Sequence, residues 1–253
     1  MLPRTPSYRL DGKRAVVTGG SRGIGLGCAV ALAEEGANVT IVARSKDQVF
    51  ETVNKMKSEG FSVSGAPMDV TNIDSVKNLM DKYSDIDILV NSAGIARHTP
   101  TVDTTLADFD DVMSVNVRSA YFLAQTAAKK MIAKGVGGSI IQISSQMAHV
   151  GGIDRAVYCG TKHAIEGINK SMAIEFGPHK IRVNSICPTF IRTPFTEPTF
   201  KDPEKVKWIE SKIKVGRVGE VEDIMGAVKF LASDVSAMVT GSSILIDGGW
   251  TAG

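Results

Sequence analysis

Strand-like and helix-like stretches alternate along this chain from residue 13 to its end, and that alternation limits the folds open to it more than any other feature. Short runs rich in β-branched residues stand at 14–18 (RAVVT), 38–43 (NVTIVA), 62–69, 86–94, 139–144, 181–186 and 242–249. Longer stretches of mixed apolar and polar residues lie between them, at 23–35, 45–59, 73–83, 105–134, 156–176 and 221–231. Gly36 and Gly60 fall where helices should stop, and Thr71-Asn72 falls where one should be capped. The run at 86–94 is apolar on both faces, which suits a parallel strand covered on both sides. This order predicts an α/β fold: a doubly wound parallel sheet of seven strands with helices on both faces.

No repeat, linker or low-complexity segment interrupts the pattern, so residues 1–253 are expected to form a single domain. Residues 1–12, with Pro3 and Pro6, read as an N-terminal arm. Residues 188–215 carry Pro188, Pro194, Pro198 and Pro203 among aromatic and charged residues, and read as a substrate loop with one or two short helices. A formal net charge of +2 argues against nucleic acid or an anionic membrane surface as partner. Three scattered cysteines and four histidines with no close pair suggest neither a disulfide framework nor a metal site. With no apolar leader and no run long enough to span a bilayer, a cytoplasmic setting is expected.

Two stretches carry chemistry. The first strand runs into TGGSRGIG (Thr18 to Gly25), where glycines let the backbone approach a diphosphate and the next helix begins with free amides. Its spacing departs from G-x-G-x-x-G, but its place between strand and helix is that of a Rossmann phosphate turn. The second is Ser145 to Lys162. Tyr158 and Lys162 are four residues apart, so on a helix they share one face, with Ser145 thirteen residues upstream of the tyrosine. A lysine ammonium within roughly 4–6 Å lowers a phenol's pKa, making tyrosine and lysine an acid/base unit, with Ser145 a donor to a carbonyl oxygen. Tyr-x-x-x-Lys also arises by chance on amphipathic helices, usually as a half-buried ring beside a solvated ammonium.

Together these residues resemble the short-chain dehydrogenase/reductase family. Thr18-Gly19-x-x-x-Gly23-Ile24-Gly25 is similar to its cofactor motif, and Asn91-Ser92-Ala93-Gly94 to its Asn-Asn-Ala-Gly motif, with Ser92 in place of the second asparagine. Asn116, Ser145, Tyr158 and Lys162 match its catalytic tetrad in order and spacing, and the likeness runs from about residue 11 to 249. The resemblance implies a carbonyl/alcohol oxidoreductase and a homotetramer. It implies cofactor contacts from Gly19, Ser21, Arg22, Gly23, Ile24 and Gly25, from Arg44, Asp69 and Val70, and from Asn91, Ala93 and Gly94. Tyr158, Lys162, Pro188, Ile191 and Thr193 complete that set. Pro188-Thr189 stands where relatives have Pro-Gly, a change expected to make the backbone less permissive.

An NAD enzyme needs a carboxylate at the end of the second strand, and there the family's acidic position falls on Ala43. Arg44 follows, and Arg22 lies within the glycine-rich turn. Two guanidiniums suit a ribose 2′-phosphate, so NADP is expected rather than NAD. Gln146, His149 and Arg155 lie between the catalytic serine and tyrosine, and Arg97 and His98 follow the Asn-Ser-Ala-Gly turn. They suit a small polar substrate such as a sugar acid or polyol, or else are loop residues bonded to backbone and water. A 3-oxoacyl-thioester reductase is the alternative within enzymes, with Lys129, Lys130 and Lys134 facing an acidic carrier protein. A catalytically silent NADP-sensing protein is the alternative of another class.

Overall fold

The computed structural model describes residues 2–83 and 85–253. Seven strands, β1 (Arg14–Thr18), β2 (Asn38–Ala43), β3 (Val63–Pro67), β4 (Ile88–Asn91), β5 (Gly138–Ile143), β6 (Ile181–Pro188) and β7 (Ser243–Ile246), form one sheet in the order β3–β2–β1–β4–β5–β6–β7. Every pairing is parallel, with Thr18 opposite Asn91 where β1 meets β4. The chain winds outward from β1 to β3, returns to β1's other side as β4, and winds outward again. That reversal opens a crevice at the carboxyl ends of β1 and β4.

Strand alternation sends successive side chains to opposite faces. Val17, Ile41 and Ile141 join one core with residues of α1 (Gly23–Glu34), α2 (Lys46–Ser58) and α9 (Glu222–Ala232). Val16, Val42 and Ile140 join the other, under α3 (Ile73–Asp81), α5 (Ala120–Lys134) and α6 (Ala156–Phe176). The strands at 62–69, 86–94 and 242–249 prove shorter than expected, because their last residues leave the sheet to line the crevice or turn away from it. The stretch at 105–134 is helical but not uniform. α4 (Leu106–Met113) passes through a π-helical turn, Ser114–Ser119, before α5 resumes. Residues 188–215 carry two helices, α7 (Glu197–Phe200) and α8 (Pro203–Lys212), around a small third core of Phe190, Ile209, Ile213 and Val218. No helix among the described residues is long and apolar enough to cross a membrane.

Ile141 is fully buried at the middle of β5. Ile141→Ala should lower unfolding free energy by about 2–5 kcal/mol in urea titrations, the cost of a cavity in a packed core. A loss below about 1 kcal/mol would show that the layers collapse around the missing side chain.

Candidate active site

The crevice begins at the end of β1. There the Thr18 hydroxyl accepts the amides of both Ser92 and Ala93 at 3.2 Å, tying the glycine-rich turn to the segment after β4. Gly19 has φ 66°, and a Cβ on it would lie 2.9 Å from the Ser92 carbonyl oxygen. A Cβ on Gly25 would lie 2.2 Å from the Gly19 carbonyl, so α1 can start against the turn only with glycine there. Arg22 precedes α1 without a side-chain cap, which leaves the first amides of the helix for an anion. A narrow, glycine-floored cradle beside uncapped helix amides fits a dinucleotide diphosphate.

From this point a cleft of about 880 Å³ runs both ways. Toward β2 and β3 it is lined by Arg22, Arg44, Asp69 and Val70, and around the turn by Gly19, Ser21, Gly23, Ile24 and Gly25. Ala93, Gly94, Pro188, Ile191 and Thr193 line its middle, and Ser145, Gln146, Arg155, Tyr158 and Lys162 its far end. Neither Arg22 nor Arg44 has a side-chain hydrogen bond or ion pair among the described residues. Asp69 also accepts from the Thr71 amide and hydroxyl, so it shapes its own turn as well as facing the cleft.

Asn91 and Asn116 stand behind the wall. Asn91 Nδ2 donates to the Ala120 carbonyl at 3.1 Å. Asn116, inside the π-helical turn, accepts from Ile95 N at 2.9 Å and donates to Ile95 O at 2.8 Å. It also donates to Thr161 Oγ1 at 3.2 Å, joining the Gly94 segment to α6. A Cβ on Gly94 would lie 3.4 Å from Asn116 Oδ1 and 4.0 Å from Lys162 Nζ, so these three groups share one corner.

Tyr158 and Lys162 leave α6 one turn apart, with Nζ 5.5 Å from the phenol centroid. Burial draws the Lys162 ammonium down to about 8, while Cys187 and Glu166 behind it pull weakly upward. Burial pushes the Tyr158 phenol up, against smaller downward pulls from the Ser145 hydroxyl and the Arg155 charge. The expected lowering of the tyrosine by the lysine is therefore not the balance in this chain. Lys162 Nζ donates to the Ile143 carbonyl at 2.9 Å, and desolvation outweighs it. The phenol enters the site as an uncharged acid.

The polar residues around Tyr158 take different places. Gln146 and Arg155 line the cleft, and His98 meets the Tyr158 ring edge-on at 6.2 Å. Burial, then the Arg155 charge, holds His98 below the ordinary imidazole range, so it is neutral near pH 7. His149 does not line the cleft. A 3₁₀ turn, Gln146–Ala148, sends Gln146 inward and leaves His149 exposed. There its ring lies within 4.8 Å of ligand atoms on Glu166 and Cys187, a proximity that spacing along the chain did not suggest. Glu166 already accepts from the Ser185, Ser243 and Cys187 side chains. Arg97 turns away to Asp108 at 3.3 Å and Asp111 at 3.7 Å on α4. Thr189 needs no unusual backbone, since it is absent from the residues with positive φ. Its hydroxyl, like Gln146 Oε1, is instead a buried polar atom with no hydrogen-bond partner among the described residues.

A twisted parallel sheet with a phosphate cradle at its reversal, and a tyrosine–lysine pair at the other end of the same cleft, defines a dinucleotide-dependent oxidoreductase. The family model described as enoyl-(acyl carrier protein) reductase matches residues 19–251. Bovine L-xylulose reductase is 37% identical over 244 residues, covering 96% of this chain and 98% of that protein. The 2-dehydro-3-deoxy-D-gluconate 5-dehydrogenase of Escherichia coli (strain K12) is 38% identical over 250 residues, covering 97% and 98%. Among solved structures, a gluconate 5-dehydrogenase from Burkholderia cenocepacia J2315 in complex with NADP and tartrate superposes with a TM-score of 0.94. It is 34% identical, with 97% of this chain and 98% of that chain covered. The chain belongs to the short-chain dehydrogenase/reductase family.

Because Lys162 falls from an ordinary 10.5 to about 8 in the folded chain, the unfolded chain binds more protons between those values. Stability from this group should therefore rise as pH climbs through that window and stay level below it. The difference in urea midpoint, native chain minus Lys162→Met, should move in favour of the native chain as pH rises across the window. A constant difference would refute the assignment.

Proposed function

We propose that this chain is an NADP(H)-dependent oxidoreductase that interconverts a carbonyl and a secondary alcohol on a small polyhydroxylated substrate, with Tyr158 as general acid/base. The observation that carries it is the cleft's polarity of roles. One end offers Arg22 and Arg44 with Ala43 where a carboxylate would select NAD, and the other offers Ser145, Tyr158 and Lys162. When bound, the nicotinamide supplies or takes the hydride. Ser145 orients the substrate oxygen, and Tyr158 gives it a proton during reduction or takes one during oxidation. Lys162 favours the phenolate that reduction leaves behind, and Asn116 keeps the Gly94 segment and α6 in register around it.

Substrate polarity rests on Arg155 and His98, whose polar groups would be stranded against an apolar ligand. The relatives named for xylulose, deoxygluconate and gluconate chemistry support the same class. A carrier-bound thioester fits less well. Lys130 is paired with Asp81 at 2.8 Å, and Lys134 with Asp87 at 2.7 Å and Asp85 at 3.3 Å, so two of the three lysines already have partners. A silent sensor would have no use for the assembled acid/base set. We also propose a cytoplasmic homotetramer. Exposed Leu106 and Phe109 on α4, Tyr121 on α5, Ile174 on α6 and Leu245 on β7 are apolar surface that further copies would cover.

Tyr158→Phe should bind NADPH as the native chain does while kcat falls by about 10²–10⁴, the usual contribution of a positioned acid. Near-normal turnover would sink the mechanism. For the cofactor, initial rates with NADPH should exceed those with NADH. Arg22→Ala and Arg44→Ala should each weaken NADPH affinity about tenfold and leave NADH affinity nearly unchanged. A native preference for NADH would reverse the cofactor assignment.

A further inference from the structure

Arg155 is a half-buried cation that makes no ion pair among the described residues. It precedes α6 by one residue and Tyr158 by three, and its field reaches the phenol. Its guanidinium carbon sits 5.1 Å from the Phe190 ring centroid, which shields one face of the group from water. Burial lowers its proton affinity, with only weak opposing pulls from Tyr158, Cys159 and Asp154. Among the described residues its side chain makes no hydrogen bond or ion pair. Asp154, next in the chain, forms no ion pair with it. That residue holds φ 58°, a left-handed conformation that aspartate tolerates better than most, while its carbonyl accepts from Thr99 N at 3.1 Å. This turn delivers Arg155 to the cleft wall.

The surroundings offer no substitute partner. Asp69 is the single carboxylate among the residues lining the cleft, and it stands at the opposite end. His98, which meets the Tyr158 ring edge-on, is neutral near pH 7. A guanidinium stripped of part of its water and given no anion is unfavourable by itself, and a ligand carboxylate would reverse that.

We propose that Arg155, stacked on Phe190, is the specificity-determining residue that binds a substrate carboxylate, so that the preferred substrates are hydroxy or keto acids of the sugar series rather than neutral polyols or ketoses. This assignment rests on the carbonyl/alcohol reading above. Lys162 cannot take the same part if it attends the tyrosine, which leaves Arg155 as the one cation at this end for the substrate.

The test is a set of matched pairs: four- to six-carbon aldonic acids, each against the alditol of the same skeleton, as in D-gluconate against sorbitol. All are oxidised with NADP by the native chain, Arg155→Gln and Arg155→Lys, with NADPH affinity and the thermal midpoint as folding controls. The native chain should favour the acid. In Arg155→Gln the acid-to-alditol ratio of kcat/KM should fall about 30-fold or more, chiefly through KM, the worth of a charge-assisted bidentate contact. Arg155→Lys should restore part of the ratio, because it returns the charge without the planar fork. A native preference for alditols, or a ratio unchanged in Arg155→Gln, would overturn the carboxylate assignment alone. No native turnover of either class would overturn the polyhydroxylated-substrate reading, and this assignment with it.

Discussion

The Thr18 hydroxyl, bridging two backbone amides after β4, is the contact on which the cleft depends. In a parallel sheet wound both ways from its centre, the connections after β1 and β4 leave toward opposite faces, and the ladder between the two strands ends at Thr18 and Asn91, before either connection begins. A side chain at the last position of β1 supplies a tie by accepting from Ser92 and Ala93. The diphosphate cradle and the Gly94 corner are thereby fixed relative to each other. Asn116 repeats the device one layer out, pinning Ile95 by both its amide and carbonyl. The π-helical turn makes this possible, since an extra residue in the helix bulges the asparagine toward the segment it must hold.

Burial then sets the electrostatics. It moves Lys162 down, Tyr158 up and His98 down, in each case toward the uncharged form. The end of the cleft around Tyr158 still keeps positive charge near pH 7, from Lys162 at about 8 and from Arg155. Glu166 is the anion beneath it. Burial alone would protonate this carboxylate, yet hydroxyl and thiol donors around it hold its pKa below the ordinary value. Lys162, one turn away on α6, keeps part of its proton affinity through Cys187 and, less, through that buried carboxylate. A carboxylate satisfied by neutral donors can act on its neighbour electrostatically without competing for it as an ion-pair partner.

What the sequence showed and what it hid divide along one physical line. Features set by local spacing were legible: the glycine turn between strand and helix, the tyrosine and lysine on one helical face, and the absent carboxylate after β2. Features set by how a loop turns were not. Gln146, His149 and Arg155 read alike as residues between Ser145 and Tyr158, but a three-residue 3₁₀ turn and a left-handed Asp154 send them to different places. Arg97 and His98 are adjacent, yet the aspartates of α4 claim one and the Tyr158 ring faces the other. The basic group at the end of α5 looked available in the sequence because its partners, Asp81, Asp85 and Asp87, lie about fifty residues away along the chain.

The 188–215 segment shows why a proline-rich stretch over a cleft need not be loose. Phe190 turns inward to stack beneath Arg155, and its other neighbour is Trp250, with ring centroids 5.8 Å apart. Trp250 meets Trp208 of α8 at 5.6 Å, and Ile209 and Ile213 complete the packing. The wall that presents Arg155 is thus braced by a helix of the loop itself and by the last residues of the chain. Its position depends on a small apolar core separate from the two that hold the sheet.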